Sequence, residues 1–148
     1  MRIVLKTQVP GHFKDVMSQF DRELFEYLAP PLAKMELVEF GGSETGDVVH
    51  LKFTFPVQAE WKSLITDHGE SEDESYFVDE GDKLPWPLKS WRHYHGVQGL
   101  GDNKSILVDD IQYDTGIWLG NVLMWPIMYV SFWGRKPQYK KYFSRSTL

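Results

Sequence analysis

Hydrophobic and polar residues alternate from Arg2 to Val9, with Ile3, Leu5, Thr7 and Val9 on one side and Arg2, Lys6 and Gln8, together with Val4, on the other. A period of two predicts a strand with one wet face. After Pro10-Gly11 the spacing changes, and Phe13, Val16, Met17, Phe20, Leu24, Phe25 and Leu28 recur at helical intervals. Asp21 is placed to cap a second short helix. Pro30-Pro31 must end that helix, because a proline disfavours the α conformation in the residue before it.

From Lys34 the period of two returns. Met35 to Phe40, the turn-rich Gly41 to Gly46, and the alternating Val48 to Phe55 predict a hairpin. Pro56 interrupts before Val57 to Thr66, where Val57, Ala59, Trp61, Ser63 and Ile65 share a face. Asp67 to Glu74 reads as an acidic, hydrated loop. Ser75 to Glu80, a turn at Gly81-Asp82, an entry at Pro85-Trp86-Pro87, Lys89 to Gln98, a turn at Gly99 to Asp102, and Ser105 to Tyr113 complete the series. Short turns between strands predict an antiparallel meander.

Ile117 to Trp133 is nearly all apolar and about as long as the shortest membrane-spanning helix. Gly120, Asn121 and Ser131 dilute it and Pro126 interrupts it, so no membrane span is expected. The expectation is a short turn at Ile117 to Leu123 and a longer helix starting near Trp125 or Pro126. Met128, Phe132, Tyr139 and Phe143 would form its inner stripe, Lys140-Lys141 would suit its C-terminal dipole, and Pro137 should kink it. Trp118, Trp125 and Trp133 with Phe132 read as core or as the helix side of a cavity. Arg135 reads as a helix-end or salt-bridge residue.

Composition narrows the function. The 148 residues suit one domain, 1–148. The net charge of -5 argues against a nucleic-acid partner. The chain has no cysteine, which excludes disulfides, a thiolate nucleophile and a cysteine-ligated zinc. The run after Met1 is too short for a signal peptide, so a cytoplasmic protein is expected. No phosphate loop or dinucleotide fingerprint is present, no cofactor is implied, and the oligomeric state is left open.

The candidate chemistry lies between Trp86 and Tyr113. Trp91, His93 and His95 share one strand face and Asp109, Ile111 and Tyr113 another. A hairpin centred on residue 101 sets His93 opposite Asp109, and an even shift sets His95 beside Asp109. A one-residue bulge would bring Asp110 in instead. On the residues alone, a mutually satisfied buried His93–Asp109 pair is favoured. Next comes a binding site walled by Trp61, Phe77 and Trp91, with Asp79, His93, His95, Asp109 and Tyr113 orienting a polar head. Then follows proton-transfer catalysis of the cyclisation or dehydration type by His93 or His95 with Asp109. Metal ligation by the two histidines and a carboxylate comes last, and no metal is expected. A separate reading makes the rim at Pro85-Trp86-Pro87 a surface for another protein.

The element order, with Leu28-x-Pro30-Pro31, Trp61-x-x-x-Ile65, Phe77-x-Asp79, Trp91-x-His93-x-His95, Asp109-x-Ile111-x-Tyr113, Gly116 to Gly120 and Phe132-x-x-Arg135, resembles the START and polyketide-cyclase-like (SRPBCC) superfamily, in its bacterial ligand-binding-like branch. The resemblance implies an α+β helix-grip fold: a curved antiparallel sheet wrapped around a long C-terminal helix, with two short helices after the first strand. It also implies a cavity between sheet and helix for a hydrophobic or amphipathic small molecule, lipid-, polyketide- or aromatic-like. Binding without catalysis is the resulting expectation.

Overall fold

In the computed structural model, which describes residues 1–30 and 33–145, seven strands form one antiparallel sheet. They are β1 (Arg2–Pro10), β2 (Lys34–Phe40), β3 (Val48–Phe55), β4 (Ala59–Glu70), β5 (Glu74–Lys83), β6 (Ser90–Gly99) and β7 (Lys104–Asp114). The spatial order is β1-β7-β6-β5-β4-β3-β2, so the meander from β2 to β7 is closed on its far side by the first strand. Ile3, Leu5, Thr7 and Val9 are all buried, as the alternation requires.

Two short helices follow β1: α1 (Phe13–Ser18) and α2 (Arg22–Tyr27). Asp21 caps the second by accepting a hydrogen bond from the Leu24 amide at 3.0 Å. That helix ends at Tyr27, before Pro30. Pro31 lies outside the described residues. Phe13, Val16, Leu24 and Leu28 pack with Val97, Leu107, Tyr139 and Phe143 into one core cluster.

Two expected boundaries differ. The segment read as an acidic loop is mostly sheet: β4 continues to Glu70 and β5 begins at Glu74, and Gly81 pairs with Ser63 inside the ladder. A register shift between Ile65 and Asp67 breaks the apolar alternation while backbone pairing continues, so the pattern was lost and the strand was not.

The C-terminal helix also starts earlier than expected, as α3 (Trp118–Trp133), with Pro126 inside it. Its first turn is fastened by Asn121, whose side-chain oxygen accepts from the Thr115 amide at 2.7 Å while its amide donates to Asp114 at 2.8 Å. Helix α4 (Arg135–Ser144) continues after Gly134. Pro137 falls in the first turn of α4, where a missing amide costs little, so the break sits at Gly134 instead. Met128, Phe132, Tyr139 and Phe143 are buried as one stripe. Of the indoles assigned to core, Trp118, Trp125 and Trp133 are exposed, and only Phe132 of that group turns inward.

Candidate active site

The sheet brings β5, β6 and β7 side by side with their odd-numbered residues facing the helices. Phe77 pairs with His95 and Asp79 with His93 across β5 and β6, while His95 pairs with Asp109 and His93 with Ile111 across β6 and β7. The hairpin is therefore centred on residue 102, two steps in register from the pairing of His93 with Asp109, and the even-shifted alternative is the observed one. Asp110 points the other way and holds Arg2 through two hydrogen bonds of 2.9 and 2.7 Å. The inward carboxylate is thus Asp109.

The hydrogen bonds run diagonally to the strand pairing. His95 Nε2 lies 2.7 Å from Asp79 Oδ2, and His93 Nε2 lies 2.9 Å from Asp109 Oδ1. The reciprocal approaches are looser, His93 Nδ1 to Asp79 at 3.7 Å and His95 Nδ1 to Asp109 at 4.0 Å. The imidazole centroids are 3.6 Å apart. Each carboxylate thus faces both rings and bonds one. Trp91 Nε1 donates to the other Asp79 oxygen at 2.9 Å. Phe77 stacks on His95 with centroids 4.3 Å apart, and Phe132 of α3 meets His93 edge-on at 5.2 Å. All four titratable groups are buried.

Burial sets the protonation of this cluster. It drives the pKa of His95 down to about 4, aided by the charge of His93 and only partly opposed by Asp79 and Asp109. Burial would also raise both carboxylates. The hydrogen bond from His95 to Asp79 and that from His93 to Asp109, with the charges behind them, outweigh it and hold both below the usual range. At neutral pH His95 is therefore neutral beside two carboxylates. Its Nδ1 is buried and makes no hydrogen bond among the described residues. A buried nitrogen left unpaired costs about 1–3 kcal/mol, which a purely structural histidine would avoid.

A cavity of about 270 Å³ opens in front of the cluster, between the sheet and the three helices α2, α3 and α4. Of the eight candidates from the sequence, Trp61, Phe77, Asp79, Trp91, His93 and His95 line it. Asp109 stands behind His93. Tyr113 lies apart, donating to the Asn121 carbonyl at 2.7 Å. Sequence reasoning missed Phe20, Leu24, Phe53, Ser131, Arg135 and Tyr139 as lining. Leu24 and Tyr139 belong to the core spacing, Ser131 to the polar breaks in the apolar run and Arg135 to a helix end, and only the packing of helix on sheet decides which of these positions border a void. Arg135 begins α4 and so stands at a helix end as expected, with no carboxylate of the described residues within ion-pair distance. Its guanidinium sits 4.4 Å from the centroid of the Phe132 ring.

Asp79, His93 and His95 each offer one ligand atom, all within 4.8 Å of one another, so the cluster has the donor set of a three-ligand cation site. With ligand bonds of about 2.0 Å in a tetrahedron, neighbouring ligand atoms lie roughly 3.3 Å apart. The 2.7 Å between His95 and Asp79 is shorter and is the distance of a shared proton.

No family model matches the chain, and no curated protein matches it. Solved structures match over its whole length. A norcoclaurine synthase from Thalictrum flavum, a point mutant in complex with a transition-state analogue, superposes with a TM-score of 0.71 at 13% identity, covering 100% of this chain and 96% of that one. The Zhui aromatase/cyclase from Streptomyces sp. R1128 gives 0.70 at 11% identity, with coverage of 100% and 96%. Protein Ms6760 from Mycobacterium smegmatis gives 0.69 at 13%, with coverage of 98% and 92%.

The expectation of binding without catalysis is corrected. It rested on the family resemblance and on the aromatic and polar strand faces, whereas the cavity wall carries two imidazoles with centroids 3.6 Å apart, each with its own carboxylate, a cluster that resembles an active site. With its curved seven-stranded sheet closed over the C-terminal helix, the chain has the fold of the SRPBCC, or helix-grip, superfamily.

Proposed function

We propose that the protein is an acid–base enzyme for a compact hydrophobic or aromatic molecule carrying a carbonyl group, acting by proton transfer in a cyclisation, condensation or dehydration. The observation that carries this reading is the pair of adjacent, separately partnered imidazoles, with centroids 3.6 Å apart, in the wall of an apolar cavity. A cavity of about 270 Å³ suits one or two rings, being at the lower end of small-molecule pockets. Phe77, Trp61, Trp91 and Phe132 supply its apolar walls. The same motifs, Trp91-x-His93-x-His95 and Asp109-x-Ile111-x-Tyr113, support placing this single domain in the bacterial ligand-binding-like branch. The lack of cysteine fits a cytoplasmic setting.

The chemistry follows from the tautomers. His95 donates its Nε2 proton to Asp79, which leaves the Nδ1 lone pair as the base. Rings 3.6 Å apart cannot both be cations at low cost, so the pair holds one extra proton at most. His95 takes a proton from the carbon beside the substrate carbonyl, and the C–H electron pair moves to the carbonyl oxygen. Arg135, which lines the same cavity, stabilises that oxyanion. In a dehydration the enolate electrons form the new C=C bond as the C–O bond breaks, and the proton taken by His95 passes to the departing hydroxyl, which leaves as water.

The test is exchange of the hydrogens beside the carbonyl of aryl-ketone probes in deuterated water, followed by NMR. Wild type should accelerate exchange. His95→Ala and Asp79→Asn should lose roughly 10²–10⁴-fold. Probes that bind, by titration, yet exchange no faster than in buffer would sink the proposal.

Metal-assisted chemistry is a second reading, supported by the three-ligand donor set of Asp79, His93 and His95. Calorimetric titration with zinc separates the two: one tight site lost in His93→Ala favours the metal.

A further inference from the structure

Helix α3 has no charged residue among its sixteen, yet only Met128 and Phe132 are buried. A helix that is apolar all round is normally enclosed. Here Leu119, Leu123, Ile127, Val130 and Trp133 recur at steps of three and four and are all exposed, Leu123 by 64% and Trp133 by 54%. Trp118 beside them is 75% exposed and Trp86, at the same end of the sheet, 92%. The stripe does not stop at Gly134. Lys140 and Lys141, both exposed, continue it along α4.

Charge is divided in the same way. From Thr115 to Leu148 there are five cations, Arg135, Lys136, Lys140, Lys141 and Arg145, and no acid. The 21 acids all lie before Thr115, with only the other 11 cations. Lys89 adds one more cation at the opposite end of α3, its side chain lying over Gly116. An uncharged helix rich in tryptophan and flanked by cations is the pattern of a surface that lies in the plane of a membrane interface. No helix among the described residues is long and apolar enough to cross a bilayer.

We infer that the outer face of α3 and α4 docks on a membrane surface bearing anionic headgroups. Charge decides between that occupant and a second copy of the chain. In a twofold dimer the same patch meets itself, and since residues 115–148 hold cations and no acid, the cations of α4 would find no opposite charge on those residues of the second copy, whereas anionic headgroups complement them. The docked face also borders the cavity, because Ser131 is exposed on α3 and lines the pocket. An apolar molecule dissolved in the membrane would thus meet the cavity mouth without crossing water. The inference rests on this surface alone and not on the acid–base reading.

Flotation with vesicles of phosphatidylcholine, alone or mixed with phosphatidylglycerol, tests it. The protein should float with the mixed vesicles and be released by salt. Lys140→Glu with Lys141→Glu should weaken that binding by about fivefold for each cation. Leu123→Ser with Trp133→Ser should abolish it, whereas His95→Ala should float like wild type. No flotation with either vesicle would overturn the inference. So would equal binding to both that ignores salt, or a wild-type dimer in light scattering that the Leu123 and Trp133 variant splits into monomers.

Discussion

The cavity wall and the outer face of α3 invert the usual placement of residues in opposite senses. In the wall, two carboxylates and two imidazoles are withdrawn from water. On the helix, large apolar side chains are left in water. Burying charge is tolerated only where every charge has a partner, and the two His–Asp hydrogen bonds of 2.7 and 2.9 Å supply partners. Exposing apolar surface needs no partner within the chain, since its cost is spread as lost transfer free energy and unfolds nothing. The inner region is thus tightly coupled to stability and the outer region hardly at all. Each placement departs from what folding alone would favour, and each motivates the partner proposed for it: a substrate inside, a membrane surface outside.

This contrast can be broken by measurement. Removing Asp109 leaves His93 buried without its carboxylate, so Asp109→Ala should cost about 3–5 kcal/mol in urea unfolding. A loss under about 1 kcal/mol would show that water already reaches the pair.

Acid should act on the same region. The pKa of His95 is lowered on folding to about 4, so the unfolded chain binds its proton more readily. Stability from this group is complete above the ordinary histidine range and is lost as pH falls from there toward 4. Between about pH 7.5 and about pH 5 the loss should be roughly 2 kcal/mol in unfolding free energy. Asp79 and Asp109, held low, add a further loss only in stronger acid. Unfolding free energies that are level across that window would contradict a neutral buried His95.

The neighbouring carboxylate sharpens the comparison. Asp110 pairs with an Arg2 side chain that is largely in water, so Asp110→Ala should cost no more than about 1 kcal/mol despite its shorter 2.7 Å contact. The smallest effect belongs to the outer helix face: Leu123→Ser should shift stability by within about 0.5 kcal/mol. A large destabilisation there would mean that α3 depends on its outer face, against the division drawn above.

Much of this molecule was legible in the chain. The alternation from Arg2 to Val9, the cap at Asp21 and the odd-numbered faces of β6 and β7 follow from periods of two and of 3.6, which are local properties of the backbone. Trp91, His93 and His95 could therefore be assigned to one face, and their family resemblance led to the correct fold. Local pattern could not choose the hairpin register, because both even shifts keep the same residues inward. Only the assembled sheet selected His95 opposite Asp109 and turned Asp110 out to Arg2. Nor could spacing tell buried apolar residues from exposed ones in α3: periodicity records which residues share a face, whereas burial depends on what lies opposite. Asp79 reached the cluster, and Arg135 the cavity mouth, through packing between strands and helices distant in sequence. The sequence by itself thus determined the elements and their inward faces. The tertiary structure decided the partners, the cavity and the helix face left open.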